Sequence, residues 1–97
     1  MKPEEILKLM VQAIVMVPDK VRVERSAPDE MGVLFTLYVD PTDMGLIVGR
    51  QGSMIHAIRT VIRTVGMKNR ERINLKVWDP NPRTSRFDAG THGPNLI

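Results

Sequence analysis

The chain contains no cysteine, only four aromatic residues, and no uninterrupted apolar run long enough to cross a membrane. The first absence excludes disulfides, thiolate metal sites and a cysteine nucleophile, and it fits a reducing compartment, so the expected location is cytoplasmic. The second argues against nucleic-acid recognition by extensive base stacking, which needs several aromatic platforms. The third is clearest at the amino end. There the apolar stretch from Ile6 to Val17 is broken by Lys8, flanked by Lys2, Glu4 and Glu5, and stopped by Pro18 well short of a span. No small-residue cleavage site follows it, so no secretory leader is expected.

Catalytic constellations are missing as well. The candidates are His56, His92, Ser53 and scattered carboxylates. Ser53 and His56 stand three apart on an expected helix, which makes them neighbours without a third orienting group. They read as a capping serine and a surface histidine. The spacing of glycines matches neither a triphosphate-binding loop nor a dinucleotide fingerprint. The expectation is a protein that is not an enzyme and that holds no metal and no cofactor.

What is present is enough for one globular domain. Ninety-seven residues cannot supply two cores of normal size, and a hydrophobic fraction of 42% places most of the chain among folded proteins. The net charge of +3 hides a strong asymmetry. Residues 1–46 carry five basic against eight acidic side chains. Residues 47–76 carry seven basic ones, Arg50, Arg59, Arg63, Lys68, Arg70, Arg72 and Lys76, against Glu71 alone. Positive charge concentrated in one segment attracts polyanions, of which a phosphate backbone is the commonest.

Pro3, followed by Glu4 and Glu5, suits the first turn of a helix. Ile6, Leu9, Met10, Ala13, Ile14 and Val17 then fall at helical spacing as its expected buried stripe, with Pro18 and Asp19 as the stop. Val21 and Val23 alternate with charged residues as a short strand, and the cluster Ser26 to Gly32 supplies a turn. Val33, Phe35, Leu37 and Val39 share one face of a second strand, so the two should form a hairpin. Asp40 reads as an N-cap with Pro41 at the first position of a short helix that ends at Gly49. Ser53 is then expected to cap a longer helix whose stripe is Met54, Ile55, Ile58, Val61, Ile62 and Val65, with His56, Arg59, Thr60 and Arg63 outward and Gly66 at its end. Ile73, Leu75 and Val77 alternate as a third strand, and Asp79-Pro80 breaks it. Trp78, on the outer face of this strand, is expected to pack or to meet another chain. The order is αββααβ in residues 1–79. Residues 80–97, rich in proline, glycine and asparagine and without apolar periodicity, read as a flexible tail whose Arg83 and Arg86 add weak phosphate contacts.

The segment Ile47-Val48-Gly49-Arg50-Gln51-Gly52-Ser53-Met54-Ile55 joins two helices through a pair of glycines. Glycine accepts positive φ and lacks a Cβ, so a sugar-phosphate chain can lie against the backbone. The second helix starts there with unpaired N–H groups and the positive end of its dipole. Arg50 adds a charge-assisted bond to phosphate, and Gln51 projects outward.

Residues 47–58 fit aliphatic-aliphatic-G-x-x-G-x-x-I-x-x-I, with Ile55 and Ile58 in the trailing positions, and this resembles the KH domain. With the helix and strand preceding the core, it resembles the type II variant over about residues 4–79, and its size is similar to that of single-domain bacterial RNA-binding KH proteins. The resemblance implies an α+β fold, a three-stranded mixed sheet with three helices packed on one face. It also implies a groove for about four nucleotides of single-stranded RNA. Carried onto this chain, the RNA-binding residues are Ile47, Val48, Gly49, Arg50, Gln51, Gly52, Ser53 and Ile55, with Arg59 and Arg63 supplying generic attraction and Ile58 assigned to the core. The turn from Ser26 to Gly32 corresponds to the variable loop opposite. The function so implied is that of an RNA chaperone or post-transcriptional regulator. The competing reading is a dimerisation or protein-interaction module on the same scaffold, with a homodimer or a larger KH-containing protein as partner.

Overall fold

The structure, a computed structural model, describes residues 1–79; the expected tail lies outside the described residues. The elements are α1 (Pro3–Gln12), β1 (Arg22–Arg25), β2 (Val33–Tyr38), α2 (Met44–Val48), α3 (Ser53–Lys68) and β3 (Ile73–Val77). This is the αββααβ order of the α+β class expected from the sequence. One sheet runs in the order β1-β2-β3. The β1–β2 hairpin is antiparallel with Val23 opposite Leu37, and β2–β3 is parallel with Phe35 opposite Leu75, so the sheet is mixed.

Strict alternation decides which sheet face is covered. Val33, Phe35, Leu37 and Val39 are buried, as are Ile73, Leu75 and Val77, while their intervening neighbours remain accessible. Onto this face the helices bring Leu7 and Val11 from α1, Ile47 from α2, and Ile55, Ile58 and Ile62 from α3. Arg25, at the edge of the sheet, ties two further parts together through ion pairs to Glu4 of α1 and Glu71 before β3, with its guanidinium over the Phe35 ring. These partners, with Glu71 first, hold Arg25 above the ordinary arginine pKa. On the opposite sheet face Arg22, Tyr38 and Trp78 form a row. The Arg22 guanidinium lies 4.2 Å from the Tyr38 ring centre, and the Trp78 ring centre is 6.1 Å from that of Tyr38.

Four local expectations are corrected. The inward row of α1 is Pro3, Leu7 and Val11, continued by Val15, whereas Leu9 and Ala13 are exposed and Met10 and Ile14 only border the core. The apolar run from Leu9 to Val11 leaves the phase of the stripe undetermined by periodicity, and docking on the sheet selects one phase. The helix also ends at Gln12 rather than running to Val17. The buried Asp43 carboxylate accepts the backbone N–H of Met16 at 3.0 Å and of Val17 at 3.0 Å, drawing the chain out of helical geometry. Ser53 is not a cap: its φ of −64° and ψ of −38° are helical, and Gly52 takes the capping position. Gly66 lies inside α3, which continues to Lys68 because Arg70, at φ 58°, makes the turn instead. Gly66 serves close approach, since a Cβ there would stand 2.7 Å from the Glu71 carbonyl oxygen and 2.9 Å from Ile73 Cδ1.

Candidate nucleic-acid interface

Asp40 accepts the backbone N–H of Thr42 and so starts the 3₁₀ turn Pro41–Asp43 that leads into α2. After five residues α2 is stopped by Gly49, whose φ of 76° and ψ of 178° reverse the chain while its N–H still donates to the Gly45 carbonyl at 2.9 Å. A tight turn over Arg50–Gly52 follows and feeds directly into α3. Three of four consecutive residues have positive φ: Gly49, Gln51 at 55° and Gly52 at 78°.

The two glycines do different work. A Cβ on Gly49 would lie 2.6 Å from Met54 Cβ and 2.7 Å from the Met54 nitrogen, so this glycine lets the loop pack on the first turn of α3. A Cβ on Gly52 would meet nothing within 4 Å, so its open side is space beside the backbone. Arg50, Gln51 and Ser53 are exposed, and Val48 is half-buried. Ile47 and Ile55, assigned to the groove by resemblance, sit in the core at 0% and 3% exposure together with Ile58 at 2%. They hold the loop from beneath, and Val48 and the exposed Leu46 are the aliphatic surface beside it.

Arg63 is exposed, but Arg59 is not outward as the helical stripe suggested. Its Nε donates to the Leu75 carbonyl at 3.2 Å. Val33 N–H donates to the Arg72 carbonyl and Trp78 N–H to that of Leu37, so the even-numbered backbone groups of β3 face β2. The Leu75 carbonyl therefore points to the open edge of the sheet, and Arg59 bridges from α3 to that edge. Burial first, and repulsion from Arg63 second, hold its guanidinium below the ordinary arginine pKa. Arginine remains charged at neutral pH throughout such a shift, so Arg59 is a half-buried cation in the furrow between α3 and β3. The acidic turn of Asp29 and Glu30 belongs to the other end of β3, where the Met31 carbonyl accepts the Asn74 side-chain amide.

Sequence reasoning missed Asp43, whose role is to position α2 and the loop against the α1–β1 connection. The only signal for it was a carboxylate just ahead of an apolar helix, and that pattern equally describes a first-turn residue. Among the described residues no group of His, Cys, Asp and Glu is arranged to hold a metal, and no helix is long and apolar enough to cross a membrane.

Three helices on one face of a β1-β2-β3 mixed sheet, with a glycine-flanked turn between the last two helices, define a KH domain of type II topology. Comparison with known families narrows this. The family described as "KhpA/KhpB, KH domain" matches residues 4–77, and the chain belongs to it. It is 32% identical over 74 residues to the RNA-binding protein KhpA of Clostridium acetobutylicum, covering 76% of this chain and 97% of that one. It is 34% identical to the KhpA proteins of Aquifex aeolicus, covering 78% and 95%, and of Listeria monocytogenes, covering 76% and 96%. No solved structure matches the chain.

Proposed function

We propose that this protein binds single-stranded RNA by laying the sugar-phosphate backbone across Gly49-Arg50-Gln51-Gly52, and that it acts as an RNA chaperone or post-transcriptional regulator rather than as an enzyme. The observation that carries the reading is the open side of Gly52. A left-handed glycine with nothing within 4 Å of its missing side chain stands between the exposed Arg50-Gln51 pair and the amino end of a 16-residue helix. Phosphate meets backbone N–H groups, the helix dipole and one guanidinium there. Relatives named as RNA-binding proteins support the same reading. Binding is expected to be weak and weakly selective for sequence, because a four-nucleotide site is small and the loop carries one charge.

The test is the double change Arg50→Asp with Gln51→Asp, which keeps both glycines and reverses the charge. Binding to single-stranded RNA, followed by fluorescence anisotropy, should fall by more than about tenfold, since attraction at a phosphate becomes repulsion. Unchanged affinity with the fold intact would hand the site to the interaction-module reading.

Pairing belongs to the same proposal. Leu46 on α2 and Val61 on α3, each 45% exposed, are apolar residues that a second copy or a larger protein of the KhpB type would cover. Two linked grooves on one RNA would raise apparent affinity by about 10²–10⁴ through effective concentration. In a sedimentation experiment Val61→Glu should leave monomer only. A dimer that persists at the wild-type concentration dependence would place the contact elsewhere.

A further inference from the structure

The end of α3 remote from the glycine loop carries a feature that the proposed function does not use. Where α3 turns into β3, Arg63 and Met67 of the helix, Arg70 and Arg72 of the turn, and Ile73 and Asn74 of the strand line an open cleft of about 560 Å³. All three arginines are exposed, and none forms an ion pair among the described residues. Glu71, the one carboxylate in the wall, is already committed to Arg25. The cleft therefore presents three guanidinium groups that no carboxylate pairs, although the acidic Asp29-Glu30 turn meets its wall at Asn74, beside an apolar surface in which Met67 is 74% exposed. Paired cationic forks beside apolar surface suit a phosphodiester with its sugar or base laid alongside.

Position selects the occupant. Arg59, Arg63 and Met67 follow one another at four-residue intervals, so they lie along one stripe of α3 that begins about two turns beyond the glycine loop and ends in the cleft. Arg59 and Arg63 stand one turn apart on α3, so their guanidinium groups are neighbours on that stripe. A strand held at the loop and running down this stripe meets the cleft; an acidic protein segment has no such anchor at the other end. We infer that the cleft is a second phosphate subsite for the same RNA strand, extending the footprint beyond the four nucleotides of a KH groove. This rests on the loop being the first RNA site.

Length distinguishes the two. The 16 residues of α3 span about 24 Å at 1.5 Å per residue. At the strand rise of helical DNA, about 3.4 Å per nucleotide, four nucleotides reach roughly 14 Å and eight roughly 27 Å. The experiment measures affinities for mixed-sequence RNA of four and of eight nucleotides, with wild type, with Arg50→Asp/Gln51→Asp, and with Arg70→Asn/Arg72→Gln. Asparagine suits the positive φ of residue 70, and a circular dichroism melt checks the fold; Arg72→Gln alone serves if the pair does not fold.

The cleft variant should bind the tetranucleotide within about twofold of wild type. It should lose about tenfold on the octanucleotide, with the salt slope reduced by about 1.4 for two lost phosphate contacts. The loop variant should weaken at both lengths. Equal losses of the cleft variant at both lengths, or no loss at either, overturn the inference while leaving the loop site standing. An unaffected loop variant sinks the loop reading and the inference with it. Displacement of the octanucleotide by polyglutamate, in wild type but not in the cleft variant, would assign the cleft to an acidic protein segment and also overturn it.

Discussion

Gly49 and Gly52 look equivalent in the motif, and the physics separates them. Alanine at 49 meets backbone and side chain of Met54 below 3.0 Å and also pays for a positive φ, so Gly49→Ala should destabilise by about 3 kcal/mol or more. Alanine at 52 incurs the conformational cost alone, about 1–2 kcal/mol, since no atom stands in the way. Thermal melts should therefore show a large drop for the first and a small one for the second. RNA affinity should reverse the ranking of interest: Gly52→Ala, still folded, should lose binding, because its methyl occupies the space reserved for the ligand backbone. Retained binding by a folded Gly52→Ala protein would mean the open side is not where RNA lies. The loop was legible in the sequence because two glycines with aliphatic residues at fixed offsets have few other uses. The burial of Ile47 and Ile55 was not, since spacing says that a residue is apolar and leaves open whether a groove or a core receives it.

At the scale of elements, strands were easier to read than helix ends. Alternation in Val33 to Val39 and Ile73 to Val77 admits one buried face, whereas α1 offered several apolar phases and one long-range contact that no local pattern contains. That contact makes a prediction. Asp43 is 1% exposed and accepts two backbone N–H groups from the segment after α1. Asp43→Ala strands both donors, each costing about 1–3 kcal/mol when buried, so the loss should be about 3 kcal/mol and the melting temperature should fall by roughly 10–20 °C. A change of only a degree or two would show that water replaces the carboxylate. Asp40 adds a pH dependence of known sign. Hydrogen bonds from the Thr42 hydroxyl and N–H hold its carboxyl below the ordinary 3.8. The stabilisation is thus full above that value and lost as pH falls through the depressed one. Acid titration of stability should flatten there in Asp40→Asn.

The whole molecule separates its charges. Eight acidic side chains precede residue 47 and one lies between 47 and 76, so the segment that carries the loop and α3 is strongly net positive. This asymmetry was legible in the sequence, but the division of labour among the cations was not, because Arg59 and Arg63 occupy similar positions in the helical pattern. Only Arg59 donates to a main-chain carbonyl of β3. Neutralising Arg63 should therefore change binding alone: on a mixed-sequence octanucleotide the slope of log affinity against log salt falls by about 0.7 while the melt stays put. Arg59→Gln should lower the slope by a similar amount and also lower the melting temperature, since a part-buried hydrogen bond to the sheet edge, worth about 1 kcal/mol, is disturbed. Base preference, measured by comparing four homopolymeric octanucleotides, should be the same in wild type and both variants if these arginines answer to phosphate. A changed preference in Arg59→Gln alone would make the guanidinium at the edge of β3 a reader of bases, which its place in the furrow permits and its neighbour's does not.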